Sequence, residues 1–457
     1  VIFGDVANVG VNVDAGAKTV TVKARLTASP KGAAHTAADI VAAINALGTA
    51  PFTASLPMAD SDVLLTGAMD IGAAAFNNPA KFFAGSLKLS GSLSVSGNIE
   101  FDALYGGIET PGPAAVTTGD LVARAAGSIR LNTAISNLQA ASVADGAIVI
   151  SETDSITING SGLSTANGSI SLFTVSGTIT QDAPVTAGSN LVAGASYNGS
   201  GVFEFVPSTL ASTAFLWTKG ADDTDFGDQV GAPITATGVF TAAPGATKLV
   251  LRGTVSAPVS AVVQSSFWSV ILQSGGGVLQ NDDIETHGGP ISVSAATGSI
   301  TMDAATRASS VGGNIRYAAG TGIALAELDA GAGDVSLVAA ANSITDQNMG
   351  VNLTAAGVRF ETGGTFGQSD DAIETDIATL AGQAAQGVFV LEASDLTLGS
   401  VSVATQYLAY DLSMATLSDG VRSGVVTASN GPVVVELTDG SLTGDQQINA
   451  NGAGNIR

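Results

Sequence analysis

Along much of the chain, apolar and polar residues alternate in short runs, and the runs recur at a nearly fixed spacing. In residues 333–345, GDVSLVAAANSIT, Val335 and Leu337 flank Ser336; an Ala-rich bend follows, and Ser343-Ile344-Thr345 opens a second run. A period of two residues is that of a strand with one buried face. The same plan returns in 289–302 (GPISVSAATGSITM), 313–325 (GNIRYAAGTGIAL), 146–158 (GAIVISETDSITI) and 168–180 (GSISLFTVSGTIT). The first apolar residue of the second strand follows that of the first by eight or nine positions: Ile148 to Ile156, Ile170 to Ile179, Ile291 to Ile300, Ile315 to Ile323, Val335 to Ile344. Neighbouring copies are separated by 22 (Ile148 to Ile170), 24 (Ile291 to Ile315) and 20 (Ile315 to Val335) residues.

A period of about 20–25 residues built from strands and tight bends means a solenoid. One such coil cannot bury its own apolar row. Stacking places Val335 over Ile315 and Ile291, and the Ile/Val/Leu ladder becomes a continuous core, with backbone pairing between coils at roughly 4.8 Å. Glycines at the corners reach conformations that other residues adopt only with strain. The predicted fold is mainly β: a parallel β-helix solenoid, right-handed by the general preference of crossover connections, with a small N-terminal α+β module. A β-sandwich array is the rival; the fixed offset between the two strands favours the solenoid.

In chain order the pattern divides the sequence into four parts. Residues 1–78 depart from the coil plan: strands are expected at 9–13 and 18–26, and one helix at 36–47 (TAADIVAAINAL). Thr36 and Asp39 make a capping-box-like start, Gly48 a stop, and Ile40, Val41, Ile44 and Leu47 line one face. This α+β module is placed to cap the first coil or receive a neighbour's last one, since a bare solenoid end offers unpaired strand edges. Residues 79–196 read as coils, opening with Leu87, Leu89, Leu93, Val95, Ile99 and Phe101 in alternation. Residues 197–275 hold both tryptophans, Trp217 and Trp268, and looser spacing, and read as an aromatic-rich β insertion or irregular coils. Residues 276–457 resume the coils, with 388–391, 407–412 and 433–437 continuing the series. Gly454-Asn455-Ile456-Arg457 repeats Gly313-Asn314-Ile315-Arg316, so Arg457 falls at the opening of another coil, and the coils are expected to continue beyond it or to meet another subunit head to tail.

Composition changes this picture in three ways. Charged residues are 12% and aromatics 5% of 457 residues, with 57 glycines, while hydrophobic residues are 45%; a packed chain is implied rather than a disordered one. Net charge is −23, which disfavours nucleic acid as a partner. There is no cysteine, so disulfides, thiolate metal sites and a Cys nucleophile are excluded. No apolar run approaches the roughly 20 residues of a membrane helix, and the chain starts at Val1 without a leader-like segment, as a processed protein or a piece of a larger one would.

Candidate chemistry is sparse. Asp222, Asp223, Asp225 and Asp228 surround a Gly turn, an oxygen-rich run suited to Ca²⁺. It lacks the terminal Glu and spacing of an EF-hand, and a solvated loop is the weightier reading. The bends Asp282/Asp283/Glu285 and Asp370/Asp371/Glu374/Asp376 echo each other and are weaker candidates. No cofactor is required by any motif; Ca²⁺ is the single candidate ion. Arg252, Arg307, Arg316, Arg359 and Arg422 are scattered, and His35 and His287 are the only histidines. Nothing resembles a Ser/His/Asp set or a phosphate loop, so the expectation is that the chain is not an enzyme. Trp217 and Trp268 could stack sugars, although such residues more often fill a local core. The sequons at Asn159, Asn167, Asn198 and Asn352 are expected by chance in so Asn-Gly-Ser-rich a chain.

The coil plan, with its GSIT- and GDVSL-like strands and Ala/Gly bends, resembles repeats of filamentous-haemagglutinin-like adhesins and of very large repetitive bacterial surface proteins, over about residues 82–196 and 275–457. That resemblance implies a secreted β-helical shaft with structural or adhesive function, at the cell surface or outside the cell. The chain lacks the Asn-Pro-Asn-Gly motif of two-partner secretion and any Gly-Gly-x-Gly-x-Asp calcium array, so no export route follows. The expected partners are further copies or further chain, joined head to tail or laterally, and cell-surface glycans; no membrane-spanning segment is expected. Two alternatives stand beside this reading: a surface-layer or matrix protein tiling laterally with Ca²⁺, and a carbohydrate-active β-helix enzyme, which would need convergent carboxylates and an Arg in a groove.

Overall fold

The structure is a computed structural model that describes residues 68–76, 79–188, 268–411 and 413–457, together with the backbone of short strands elsewhere. The chain is a β-solenoid of about 13 turns whose strands pair in parallel from coil to coil. Each full coil has three strands. One coil holds Ile291–Ala295, Ile300–Met302 and Arg307–Ser309; the next holds Ile315–Ala319, Ile323–Leu325 and Glu327–Asp329. The first two are the strands read from the repeat. The third was not legible: it spans three residues and starts at no fixed distance, five positions after Met302 but two after Leu325.

The register matches the expected stacking. Ile291 pairs with Ile315, Ile315 with Val335 and Val335 with Val358 on the first face. Val293, Tyr317, Leu337 and Phe360 form the parallel row two residues on, and Val278, Ile300, Ile323 and Ile344 line the second face. All are buried in one continuous apolar cluster running from Ile71 to Ala450. At the coil corners, short polar side chains close the turn: Thr165 and Ser310 donate to the carbonyls of Gly168 and Gly313 at 2.5 Å, and Thr427 to Gly431 at 2.8 Å. Gly313 is fixed by close approach, because a Cβ there would lie 2.2 Å from the carbonyl oxygen of Gly289 one coil away.

Polar groups also reach into this core, among them Gln181, Gln280 and two glutamates. Glu152 and Glu392, both fully buried, end strands and turn inward at equivalent bends. Glu392 accepts from the amides of Ala393 and Ser394 at 3.0 Å and from the Thr375 hydroxyl at 2.7 Å. Glu152 accepts from the amides of Thr153 at 2.6 Å and Ile135 at 3.1 Å. Each carboxylate gathers amide donors at a sharp corner, two of which, Thr153 and Ala393, also donate to the carbonyls of Thr133 and Thr375 in the neighbouring coil.

At the N-terminal end, Thr53–Ser55 pairs antiparallel with Ala68–Ile71, so the strand opening the stack has a partner on its outer side. Gly10–Asp14 and Thr19–Ala24 pair antiparallel. The expected helix at 36–47 lies outside the described residues. The described residues contain no helix.

The solenoid is interrupted twice. Ile170 pairs directly with Val270, so residues 100 apart stand on one another. Between these coils the backbone forms two four-stranded antiparallel sheets, one including Thr213–Thr218 and Thr237–Thr241, the other Ser200–Phe205 and Leu249–Thr254. The second interruption is a hairpin of Ser400–Leu408 and Met414–Ser423, which leaves the first face after Leu398 and returns at Val425. Tyr407 therefore lies in this antiparallel hairpin and not in a coil strand, as the alternation had suggested.

Candidate functional site

The hairpin 400–423 lies back along the first face of the shaft, packing against strands of coils from 380–384 to 170–174. Its contacts move stepwise along the axis: Arg422 meets Glu361, Gly420 meets Arg359, Asp419 meets Ser336 and Arg316, Tyr407 meets Phe173, and Tyr410 meets Arg130. Nine extended residues span about 30 Å and six coil spacings about 29 Å, so the two lengths match.

The second position of each first-face strand points away from the core, and these positions form one ladder: Lys88, Glu109, Arg130, Val149, Ser171, Ile271, Ser292, Arg316, Ser336, Arg359, Ala381. Lys88 and Glu109, beyond the hairpin's reach, are exposed. Val149, Ser171, Ile271, Ser292, Ser336 and Arg359 are buried although they face outward. Hairpin residues Val401 and Val403 form a small separate apolar cluster with Ala381.

Charge converges beneath the hairpin. Arg316 grips Asp419 with two bonds, Nε to Oδ2 at 2.8 Å and an NH2 group to Oδ1 at 3.1 Å, and the Ser336 hydroxyl donates to Oδ2 at 2.6 Å. Arg359 donates to the Gly420 carbonyl at 2.8 Å and to Glu361 at 3.0 Å; Arg422 reaches Glu361 at 2.5 Å. Burial raises the Asp419 carboxyl, but the bonds from Arg316 and Ser336 and the charges of Arg316 and Arg359 outweigh it, leaving it below the usual carboxylate range. The bond from Arg422 leads the same lowering at Glu361, with Arg359 adding to it. Three of the arginines that look scattered in sequence thus meet two carboxylates in one seam. Both carboxylates, Asp419 and Glu361, are engaged by guanidinium groups, an arrangement suited to holding two elements together.

The other candidate residues are dispersed. Asp222, Asp223 and Asp225 lie outside the described residues; the Asp228 backbone is in the short strand Asp228–Gln229, opposite Pro233. Trp217 sits, as backbone, in Thr213–Thr218 opposite Gly238. Trp268 packs partly buried against the solenoid core. In the first acidic bend, Asp283 accepts from the Arg307 amide at 2.8 Å and Asp282 from the Asp283 amide at 2.7 Å. In the second, Asp376 takes the Ser394 hydroxyl at 3.0 Å, and Glu374 is raised by burial and by the charge of Asp346. Among the described residues, no group of three or more His, Asp or Glu side chains is placed to hold a metal ion. Asn352, one of the sequons, is buried, and its amide donates to Asp346 at 2.5 Å and to the Ala326 carbonyl at 3.0 Å.

The sequence did carry a sign of the seam. Ile148-Val149-Ile150 and Val270-Ile271-Leu272 break the alternation with three apolar residues in a row, the mark of a strand buried on both faces.

The class that the fold defines is a three-sided parallel β-solenoid repeat protein bearing a lateral β excursion and a hairpin strapped to one face. Compared with protein-family models, curated proteins and solved structures, the chain matches none.

Proposed function

We propose that this chain is a structural segment of a bacterial surface fibre or giant repeat protein, a stiff shaft working outside the cell by its geometry and not by catalysis. The observation that supports this best is the parallel coil-to-coil pairing that resumes after both interruptions and runs through about 13 turns, which makes a rod on the order of 60 Å long at the coil spacing of a parallel sheet. Its stiffness comes from a core shared between neighbouring coils, so that bending any turn strains its neighbours. The likeness of the repeat to haemagglutinin-type adhesin repeats points the same way, and the excursion between coils 170–188 and 270–286 is the natural place for contacts with cell-surface glycans or other partners. Copies or further chain join the shaft through strand edges at its ends.

The test is location and shape together. Antibodies against the solenoid should label intact source cells, and brief protease treatment of those cells should remove the label. Electron microscopy of the released material should show straight rods. Labelling that requires lysed cells would refute the extracellular shaft.

A further inference from the structure

The hairpin over the first face has the construction of a part that opens. It joins the shaft through one adjacent pair of residues, Gly399 and Gly424, linked by a hydrogen bond of 2.7 Å from the Gly424 amide to the Gly399 carbonyl. Gly424 has φ +68°, and a Cβ there would lie 2.0 Å from the Gln447 carbonyl oxygen, so the pivot requires glycine. The two hairpin strands pair with each other in an antiparallel ladder with one irregularity between Val401 and Val403. The coils beneath satisfy theirs with neighbouring coils. Separation therefore breaks neither ladder; the bonds between shaft and hairpin run through side chains, as from Asn314 to the Ala404 carbonyl and from Arg359 to the Gly420 carbonyl.

The seam is also poorly satisfied compared with the core. Among the described residues, nine buried side-chain polar atoms lack a hydrogen-bond partner, and five of them belong to this contact: Arg130 Nε, Ser292 Oγ, Thr405 Oγ1, Tyr410 OH and Arg422 Nε. Such atoms cost stability while they stay dry and regain water when the contact opens. Polar, ionic contacts of this kind are typical of surfaces that separate and re-form.

We propose that the hairpin 400–423 is a clasp that lifts from the shaft as a unit about Gly399 and Gly424 while the coils stay stacked, uncovering a strip that includes Arg130, Val149, Ile271, Arg316 and Arg359. The strip is basic and partly apolar on a chain whose net charge is −23. Closure covers it, with Asp419 held between Arg316 and Ser336 as the catch. The proposal concerns the device itself and stands whether or not the shaft is extracellular.

The full chain has no cysteine, so Thr416→Cys on the hairpin's exposed row and Val175→Cys on the shaft give a unique pair for nitroxide labels. Pulsed electron–electron resonance at pH 7 should show one narrow distance. Adding Asp419→Asn should produce a second, longer and broader population, at least tenfold above its level in the parent. Amide exchange of Ile291–Ala295 should stay unchanged. Exchanging the charges, Arg316→Asp with Asp419→Arg, should restore the narrow distance. In the unsubstituted chain the hairpin amides should exchange at least tenfold faster than those of the coils. An unchanged narrow distance in Asp419→Asn would overturn the clasp. So would opening that strips protection from Ile291–Ala295, because the hairpin would then be part of the shaft's own cooperative unit. If Asp419→Asn fails to fold, the unsubstituted chain decides: hairpin amides no faster than the coils refute the proposal.

Discussion

Replacing Glu392 with alanine removes a fully buried carboxylate that serves five donors: the hydroxyls of Thr375 and Ser394 and the amides of Ile377, Ala393 and Ser394. The amides of Ala393 and Ser394 sit at a part-buried corner and can recruit water. The Ile377 amide and the Thr375 hydroxyl are buried and stay dry. Each buried donor left without a partner costs about 1–3 kcal/mol, so the pair predicts a loss of about 2–6 kcal/mol. Glu392→Gln keeps the volume and one accepting oxygen but points an NH2 group at a donor, and should cost about 1–3 kcal/mol. The assay is urea unfolding followed by far-UV circular dichroism, the loss being read from the midpoint at a common slope. Amide exchange of Gly387–Glu392 reports whether the weakening is local, which matters because repeat arrays need not unfold in one step. A midpoint for Glu392→Ala corresponding to a change under about 0.5 kcal/mol would show that water replaces the carboxylate in full, and would refute the assignment of the glutamate as the corner's anchor.

Leu337→Ala, in the centre of the stacked row, should lower stability by about 2–5 kcal/mol, and a near-neutral result in the same urea assay would contradict the observed register. Gly313→Ala drives a Cβ to 2.2 Å from the Gly289 carbonyl and should destabilise by about 1–3 kcal/mol; unaltered melting would mean the coils can spread there at no cost. Acid should act with opposite signs at two carboxyls. Asp419 is depressed in the folded state, so its contribution is present above about pH 4 and lost as pH falls through its lowered value; the gap between the parent and Asp419→Asn should close there. Glu152 is raised, first by burial, against the hydrogen bonds it accepts; its contribution is full below about pH 4 and lost as pH rises through the raised value, so stability relative to Glu152→Gln should fall with rising pH. A pH-independent difference in either pair would refute the corresponding assignment.

What was legible in the sequence was the repeated, inward-facing part of the coil. Ile291, Ile315, Val335 and Ile300, Ile323, Ile344 recur because every coil buries the same positions, and periodicity reads that directly. The third face was hidden because corner loops of varying length move strands such as Glu327–Asp329, whereas the equally short second strand, as in Ile323–Leu325, keeps a fixed offset from the first. The runs at 148–150 and 270–272 mark a covered outer face, but what covers it was hidden for a different reason. Arg316, Arg359 and Asp419 are up to 103 positions apart, and only the fold-back of a hairpin onto an outer face joins them. Alternation in Val401-Ser402-Val403 says that one side is buried, without saying whether against a core or against a neighbour's outside. Glu152 and Glu392 look like surface charges in a linear reading, since their value lies in amides supplied by other strands.

The stacking of Ile170 on Val270 bears on how the molecule is built as well as on its final form. In the uninterrupted stretches a coil finds its neighbour about 19–24 residues away, and across the hairpin 45, as from Val388 to Val433; here the search spans 100. Closing the longer loop costs only on the order of 1 kcal/mol more, because the entropy grows with the logarithm of length. Two blocks can therefore grow separately, one toward Ala187 and one from Val270, and dock when the intervening polypeptide is complete. The two blocks meet through the strands of one coil, Ile170 on Val270, Ile179 on Val278 and Val185 on Ile284. A corner of this kind is a ready site for grafting: a foreign domain with neighbouring termini could replace residues 189–267 while the register on both sides is kept, turning the rod into a scaffold that carries cargo at a chosen height.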